Sequence, residues 1–335
     1  MGGVYPLSMP DEKPDELGHI PVLPNEVLEL LDPKPGEVLV DCTAGLGGHA
    51  ALIAEKLGPT GTVVLNDLDQ GNLDRAKVNV AKVLCPDDPG SAKVYAIRGN
   101  FAELPSKVRE LGLSADMILA DLGFASTQVD DPERGLSFRF SGPLDMRLDR
   151  SSPITAAELV NTLPERDLAE IIWRYGEEKS ARRIASKLVA AREVEPITTT
   201  DRLAELVRSV SRGPRGSINP ATKTFQALRI AVNDELGSLE ALLRVMGIAL
   251  RKQSQTGAGG ESGWIGSDAR VAVIAFHSLE DRPVKRAFSE WVRSGWARPI
   301  TKGVVVGTDA EIASNPRARS AKLRVCRSVR GDASG

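Results

Sequence analysis

Four short β-rich runs, each followed by a helical pattern, fill the first third of the chain, and the next run of that kind, at Arg270, lies 149 positions after Asp121. The runs are Glu37 to Asp41, Thr62 to Asp67, Lys93 to Arg98 and Met117 to Asp121. Between them, Ala50 to Leu57 reads as a helix stopped by Gly58-Pro59. Leu73 to Leu84 reads as another, with Leu73, Ala76, Val80 and Val83 on its apolar side. Strands alternating with helices at this spacing predict a parallel sheet covered on both faces. A crossover to a fifth parallel strand at Arg270 to Phe276 needs only about 30 residues. The interval therefore holds an inserted unit the size of a small domain.

The insert is helical. Thr155-Ala156-Ala157-Glu158 has the form of a capping box. Asp167 to Tyr175, ended by Gly176, Glu177 to Ala191 and Asp201 to Val210 predict three further helices. Phe225, Leu228, Val232, Leu236, Leu239, Leu243 and Met246 then keep helical spacing through one long segment back to the sheet. Thr256 to Gly266 reads as a Gly-rich loop, and late strands are expected at Gly303 to Val306 and Lys322 to Arg327. A parallel sheet that closes with a β-hairpin suits a methyltransferase better than a dinucleotide dehydrogenase. The expected division is an N-terminal extension over 1–18, disordered, then a first core segment over 19–130. A helical substrate-recognition insert over 131–219 and a second core segment with a basic tail over 220–335 complete it.

Composition narrows the function classes. Cys42, Cys85 and Cys326 are too few and too far apart for a disulfide framework, and with three histidines, His19, His49 and His277, there is no zinc-type cluster. No metal site is expected. The apolar runs are too short to span a bilayer, and Met1 to Gly18 has no apolar signal core, so a reduced, soluble, cytoplasmic protein is expected. With 43 basic and 45 acidic residues the net charge is −2, which argues against nucleic-acid binding over the whole surface. Arg174 to Arg229 nonetheless carries 12 basic and 6 acidic residues, a local excess on the insert.

Three segments could carry chemistry, all at carboxyl ends of predicted strands, where open α/β sheets bind ligands. In the first, Asp41-Cys42-Thr43-Ala44-Gly45-Leu46-Gly47-Gly48-His49 leaves a strand and enters a helix, and Asp67 ends the next strand. Glycines at such a turn admit a ligand close to the backbone, the helix start favours negative charge, and a carboxylate at Asp67 can accept ribose hydroxyls. The segment fits a dinucleotide weakly, as G-x-G-x-x-A, and fits S-adenosylmethionine through Asp41, Thr43, Gly45 and Gly47; a purely structural turn is the bland alternative. The second segment, Asp121 to Gly135, reads either as a ligand loop or as a polar turn into the insert. The third, Phe276-His277-Ser278-Leu279-Glu280-Asp281-Arg282, lacks the glycines of a serine-hydrolase elbow, and His277 there can equally be a helix cap.

Taken together, these segments resemble the bacterial small-subunit ribosomal RNA cytosine N4-methyltransferases, the RsmH (formerly MraW) family. The resemblance runs from His19-Ile20-Pro21-Val22-Leu23 almost to the C-terminus. Its most specific stretches are Asp130-Asp131-Pro132-Glu133-Arg134-Gly135, Gly142-Pro143-Leu144-Asp145-Met146-Arg147 and Thr224-Phe225-Gln226-Ala227-Leu228-Arg229-Ile230. Phe276 to Arg282 and Asn315-Pro316-Arg317-Ala318-Arg319-Ser320 complete them, in the same order. Against the family pattern, Thr127 stands where proline is usual, and Asn66 to Gln70 lacks the usual Arg and Pro around the ribose acid.

The resemblance implies a class I S-adenosylmethionine-dependent methyltransferase fold, Rossmann-like with a mostly parallel sheet, carrying an inserted small all-α domain. It implies S-adenosylmethionine as donor and, as acceptor, one cytidine in the peptidyl site of the decoding centre of 16S rRNA, within the small ribosomal subunit, with no membrane partner. By motif position, Gly47, Gly48 and His49 would line the methionine and ribose side of the donor. Asp67 would hold the ribose, Phe101 would lie against the adenine, and Asp121 and Gln128 would complete the site. Cytosine N4 is a poor nucleophile, so acceptors on its hydrogens would help, and Asp121, or a backbone carbonyl beside it, is the candidate catalytic group, contacting N4 or the amino group of the donor. Asp130, Arg134, Asp145, Arg147 and His277 are candidates for the pocket of an unstacked base. Arg182, Arg183, Lys187, Arg212 and Arg215, with Arg317, Arg319, Lys322 and Arg324 of the tail, are candidates for the RNA backbone. The alternatives are a methyltransferase for another acceptor, an NAD-dependent oxidoreductase, and a non-catalytic ribosome-assembly factor.

Overall fold

The computed structural model describes residues 20–123, 128–129, 131–211, 219–255 and 263–331. Strands β1 (Val38–Asp41), β2 (Thr62–Asp67), β3 (Lys93–Arg98), β4 (Ala115–Asp121) and β5 (Ile265–Ala275) are parallel. β6 is Ala297–Pro299, and β7 (Lys322–Ser328) runs antiparallel between β5 and β6. The sheet order β3-β2-β1-β4-β5-β7-β6, with only β7 reversed against its neighbours, is the class I S-adenosylmethionine-dependent methyltransferase fold. Successive strand residues alternate between two buried faces. Leu39, Val63, Met117 and Ile274 pack on one side, and Val40, Val64, Ile118 and Val273 on the other. Burial on both faces explains why these strands read as continuous apolar runs.

Helices α1 (Pro24–Leu31), α2 (Gly48–Leu57) and α3 (Gln70–Leu84) cover the first face. Asp69 caps α3, its side chain accepting the Gly71 and Asn72 N–H groups at 2.9 and 3.2 Å. The other face is covered by α4 (Leu104–Glu110) and by two helices that follow the insert.

The insert holds α5 (Ala156–Thr162), α6 (Glu165–Gly176), α7 (Ala181–Arg192) and α8 (Thr200–Val210). They share an apolar core with α9 (Ala221–Asn233), in which Val160, Ile172, Ile184, Leu203 and Phe225 meet. Gly135 and Gly142 lie backbone against backbone with Pro143 and Pro132, so a Cβ on either would collide with a carbonyl oxygen. That close approach accounts for glycine in two of the segments most specific to the resemblance. Helices α10 (Glu235–Gln255) and α11 (Ser278–Arg293) return to the sheet, and α12 (Asp309–Ser314) precedes β7.

Four details differ from the sequence reading. The long helical segment after Phe225 is two helices, α9 and α10, separated by Asp234 in the left-handed region (φ 46°). A single left-handed residue leaves the apolar spacing almost intact, so periodicity does not reveal the break. Helix α7 begins at Ala181 rather than Glu177, because Glu177 (φ 47°) is the left-handed cap of α6. Gly176 is therefore the last helical residue and not the cap; it is needed where the Lys223 carbonyl approaches. Residues 303–306 form no strand beyond a bridge between Val305 and Leu323, and the outer partner of β7 is Ala297–Pro299. The expectations for residues 1–18 and for 256–262 fall outside the described residues.

Candidate active site

Because β1, β2, β4 and β5 are parallel, Asp41, Asp67, Asp121 and the segment from Phe276 emerge at one edge of the sheet. Asp41 is buried, its Oδ1 accepts the Thr43 N–H at 3.0 Å, and burial pushes its carboxyl up to about 7. Thr43 in turn receives the Asp121 N–H on Oγ1 at 2.6 Å, which ties β1 to β4. Asp67 accepts the Gly45 N–H on Oδ2 and the Asp69 N–H on Oδ1, both at 2.8 Å. Burial raises Asp67 to about 6 in spite of those donors. Burial also raises Asp121 to about 7, against the pull of the Gly123 N–H and with the charge of Glu280 adding to the rise. Asp121 Oδ2 lies 3.7 Å from Nε2 of the buried His49.

Three hollows open at this edge. A cleft of about 830 Å³ is bounded by Asn66, Asp67, Asn100, Phe101, Leu122, Gln128, Leu148, Glu235, Leu239 and Glu280, among others. A smaller hollow of about 440 Å³ lies beside it, lined by Gly45, Gly48, His49 and Asp121. A third, of about 1140 Å³, is bordered by Arg139, Gln226, Arg229, His277 and Arg317. The large cleft and the arginine-bordered hollow share Leu122, Gly123 and Glu280 as a common wall.

A scan of family models matches residues 16–329 to the MraW methylase family. The chain belongs to that family. Curated relatives agree in name and length. "Ribosomal RNA small subunit methyltransferase H" of Sorangium cellulosum is 43% identical over 332 residues, 98% of this chain and 97% of that one. The protein of the same name in Geobacter sulfurreducens is 44% identical over 326 residues, 91% of this chain and 97% of that one. Among solved structures, a methyltransferase homologue from Pyrococcus horikoshii matches with a TM-score of 0.41 at 13% identity, over 97% of this chain and 73% of that chain.

In this MraW-family methylase, the residues singled out from sequence separate by what they touch. Asp67, Phe101 and Gln128 line the large cleft, and Gly48, His49 and Asp121 line the hollow beside it. Gly47 lines neither; in the left-handed region (φ 85°), it starts α2 where a Cβ would crowd the Ala76 backbone at 3.0 Å. Arg134 and Arg147 act within the protein. Arg134 pairs with Asp69, and Arg147 binds Asp145 through Nε at 2.7 Å and Nη2 at 2.8 Å while donating to the Ser152 carbonyl. Arg183 donates to the Val210 carbonyl at the end of α8, and Arg182 is exposed on α7. Arg324 pairs with Asp281, Arg319 is exposed, and Arg317 borders the third hollow. Asp130, Arg212 and Arg215 lie outside the described residues.

His277 is the N-cap of α11. Its Nδ1 accepts the Glu280 N–H at 3.3 Å, and Glu280 Oε2 accepts the Phe276 and His277 N–H groups at 2.8 and 3.4 Å. Sequence reasoning missed Asn66, Asn100, Asn233, Glu235 and Ser238 of the cleft and Arg139 and Gln226 of the third hollow. Asn233 binds the Leu148 N–H and the Met146 carbonyl at 2.8 Å each, joining the insert to the cleft. The signal for Gln226 and Arg229 was present, since both lie in one of the five family-like stretches.

Proposed function

We propose that the protein transfers a methyl group from S-adenosylmethionine to the exocyclic N4 of a cytidine in the peptidyl site of the decoding centre of 16S rRNA, within the small ribosomal subunit. The observation that carries this reading is the shared wall at Leu122, Gly123 and Glu280, which puts the cleft holding Asp67 and Phe101 next to a hollow bordered by arginines. The residues of the cleft fit the donor. The carboxylate of Asp67 suits a cationic nucleoside, and Phe101, Leu122, Leu148 and Leu239 offer apolar surface to a base. Asn66 Oδ1 is buried at the cleft without a hydrogen bond from any described residue, an acceptor left for a ligand.

When bound, the donor supplies a sulfonium methyl, whose bond to sulfur breaks with its electrons staying on sulfur as the lone pair of the amine nitrogen forms the new N–C bond. The residues of the chain bind and align. Asp67, already anchored by two backbone N–H groups, keeps lone pairs for the ribose hydroxyls. Phe101 covers the adenine, Gln128 and Asp121 complete the site, and Gly48 and His49 lie at the start of α2, where backbone N–H groups receive the donor's carboxylate. Alignment of the amine with the methyl is the main catalytic task. Arg139, Arg229 and Arg317 border the hollow that takes the unstacked cytosine, and Arg182, Lys187 and Arg319 supply positive charge for phosphates.

The test is to incubate the protein with labelled S-adenosylmethionine and small ribosomal subunits and to map the labelled nucleotide by mass spectrometry. One methyl on N4 of a peptidyl-site cytidine is expected. Label at another position, or none, refutes the reading.

A further inference from the structure

Glu280 is 3% exposed, yet it lines both the large cleft and the arginine-bordered hollow. We propose that Glu280 is the acceptor for the target amine: its carboxylate receives a hydrogen bond from N4–H and, after methyl transfer, one proton of the nitrogen. The inference rests on the reading of cytosine N4 as acceptor.

The carboxylate is held in one orientation. Oε2 takes the Phe276 and His277 N–H groups. His277 Nδ1 accepts the Glu280 N–H, and His277 Nε2 lies 3.0 Å from Glu280 Oε1. The other carboxylates near the junction are differently engaged. Glu235 is bound by Arg229 through two 2.7 Å hydrogen bonds. Asp121 already takes the Gly123 N–H on Oδ1, and with its carboxyl raised to about 7 by burial it is about half protonated at neutral pH, which makes it the weaker acceptor. The proton count closes. The nitrogen begins with two hydrogens, gains a methyl and a positive charge, and gives one proton to Glu280, leaving a neutral methylamino group and a carboxylic acid that returns its proton to solvent. The same carboxylate selects the base, because uridine presents the lone pairs of O4 where cytidine presents N–H.

The test measures binding of the donor-free full-length protein to an RNA fragment of the target site carrying cytidine, uridine or 2-pyrimidinone, the cytosine analogue without its amine. The wild-type protein is expected to bind the cytidine RNA at least about tenfold more tightly than either analogue. Equal affinities overturn the proposal without recourse to any variant. Glu280→Gln keeps an oxygen for the backbone N–H groups. It is expected to erase the preference for cytidine over uridine and to lower kcat about 100-fold, with donor affinity within twofold. A folded E280Q protein that retains both preference and kcat overturns the proposal. A wild-type protein that methylates no N4 of small-subunit RNA instead refutes the reading on which the proposal rests, and mass mapping separates the two outcomes.

Discussion

At the ends of β1, β2 and β4, backbone N–H groups hold the carboxyls of Asp41, Asp67 and Asp121, whereas arginines hold those of Asp145, Glu177 and Asp281. The two sets titrate in opposite directions. Burial raises the strand-end carboxyls to about 7, 6 and 7. Hydrogen bonds from Arg282 lower Glu177; for Asp145 and Asp281 burial pushes upward but is outweighed by Arg147 and Arg324. A carboxylate facing a site without a built-in cation is poised for a cationic ligand. One already paired with arginine holds loops and helices in place. On the proposed reading the strand-end carboxyls are the binding surface and the arginine-paired carboxylates are mainly scaffold.

The sharpest way to break this comparison is Asp67→Asn. The amide keeps one oxygen for the Gly45 or Asp69 N–H but loses the charge and an acceptor for the ribose. Two hydrogen bonds to a charged group amount to about 3 kcal/mol, so the Kd of the donor rises about 100-fold by calorimetry. A change below about threefold would mean that this carboxylate faces no ligand. The counterpart on the scaffold side is Gly176→Ala. Its Cβ would sit 2.6 Å from the Lys223 carbonyl oxygen, between α6 and α9. Overpacking there costs about 2 kcal/mol and lowers the melting temperature by about 4 °C. Donor affinity stays within twofold while RNA affinity falls. Equal losses of both would show the two sides to be one cooperative unit.

What was legible in the sequence divides along the same line. Asp41, Asp67 and Asp121 could be placed at one edge because strand ends are local features and parallel strands share a direction. That helices fill the chain between β4 and β5 was legible from the distance between strands and the patterns within it. The scaffold side was not, because its contacts join residues far apart in the chain. Arg134 pairs with Asp69, Ser278 with Glu177, and Asn233 with the Met146–Leu148 loop. No periodicity signals such pairs. Glu280 was hidden for another reason: its place in a capping box with His277 gives it a sufficient local role, and only the cavities show that the same carboxylate borders two hollows.

The smallest expected effect sharpens the comparison most directly. Asp41, Asp67 and Asp121 ionise near 3.8 when unfolded and at about 7, 6 and 7 when folded. Between these values the folded state holds more protons, so their contribution is present at pH 4 and is lost as pH climbs toward 7. The arginine-paired Asp145, Glu177 and Asp281 lie below their ordinary values, and their contribution fades only as pH falls below about 4. From pH 5.5 to 7.5 the paired set is constant and the strand-end set loses stability. Thermal melts of the donor-free protein are therefore expected to drop over that window. The rise in melting temperature on adding S-adenosylmethionine grows over the same window, because a cationic ligand binds the ionised carboxyls. D67N flattens both trends in part. A donor-free melting temperature that climbs from pH 5.5 to 7.5 would show that the paired carboxylates, and not the strand-end ones, govern the titration of this protein.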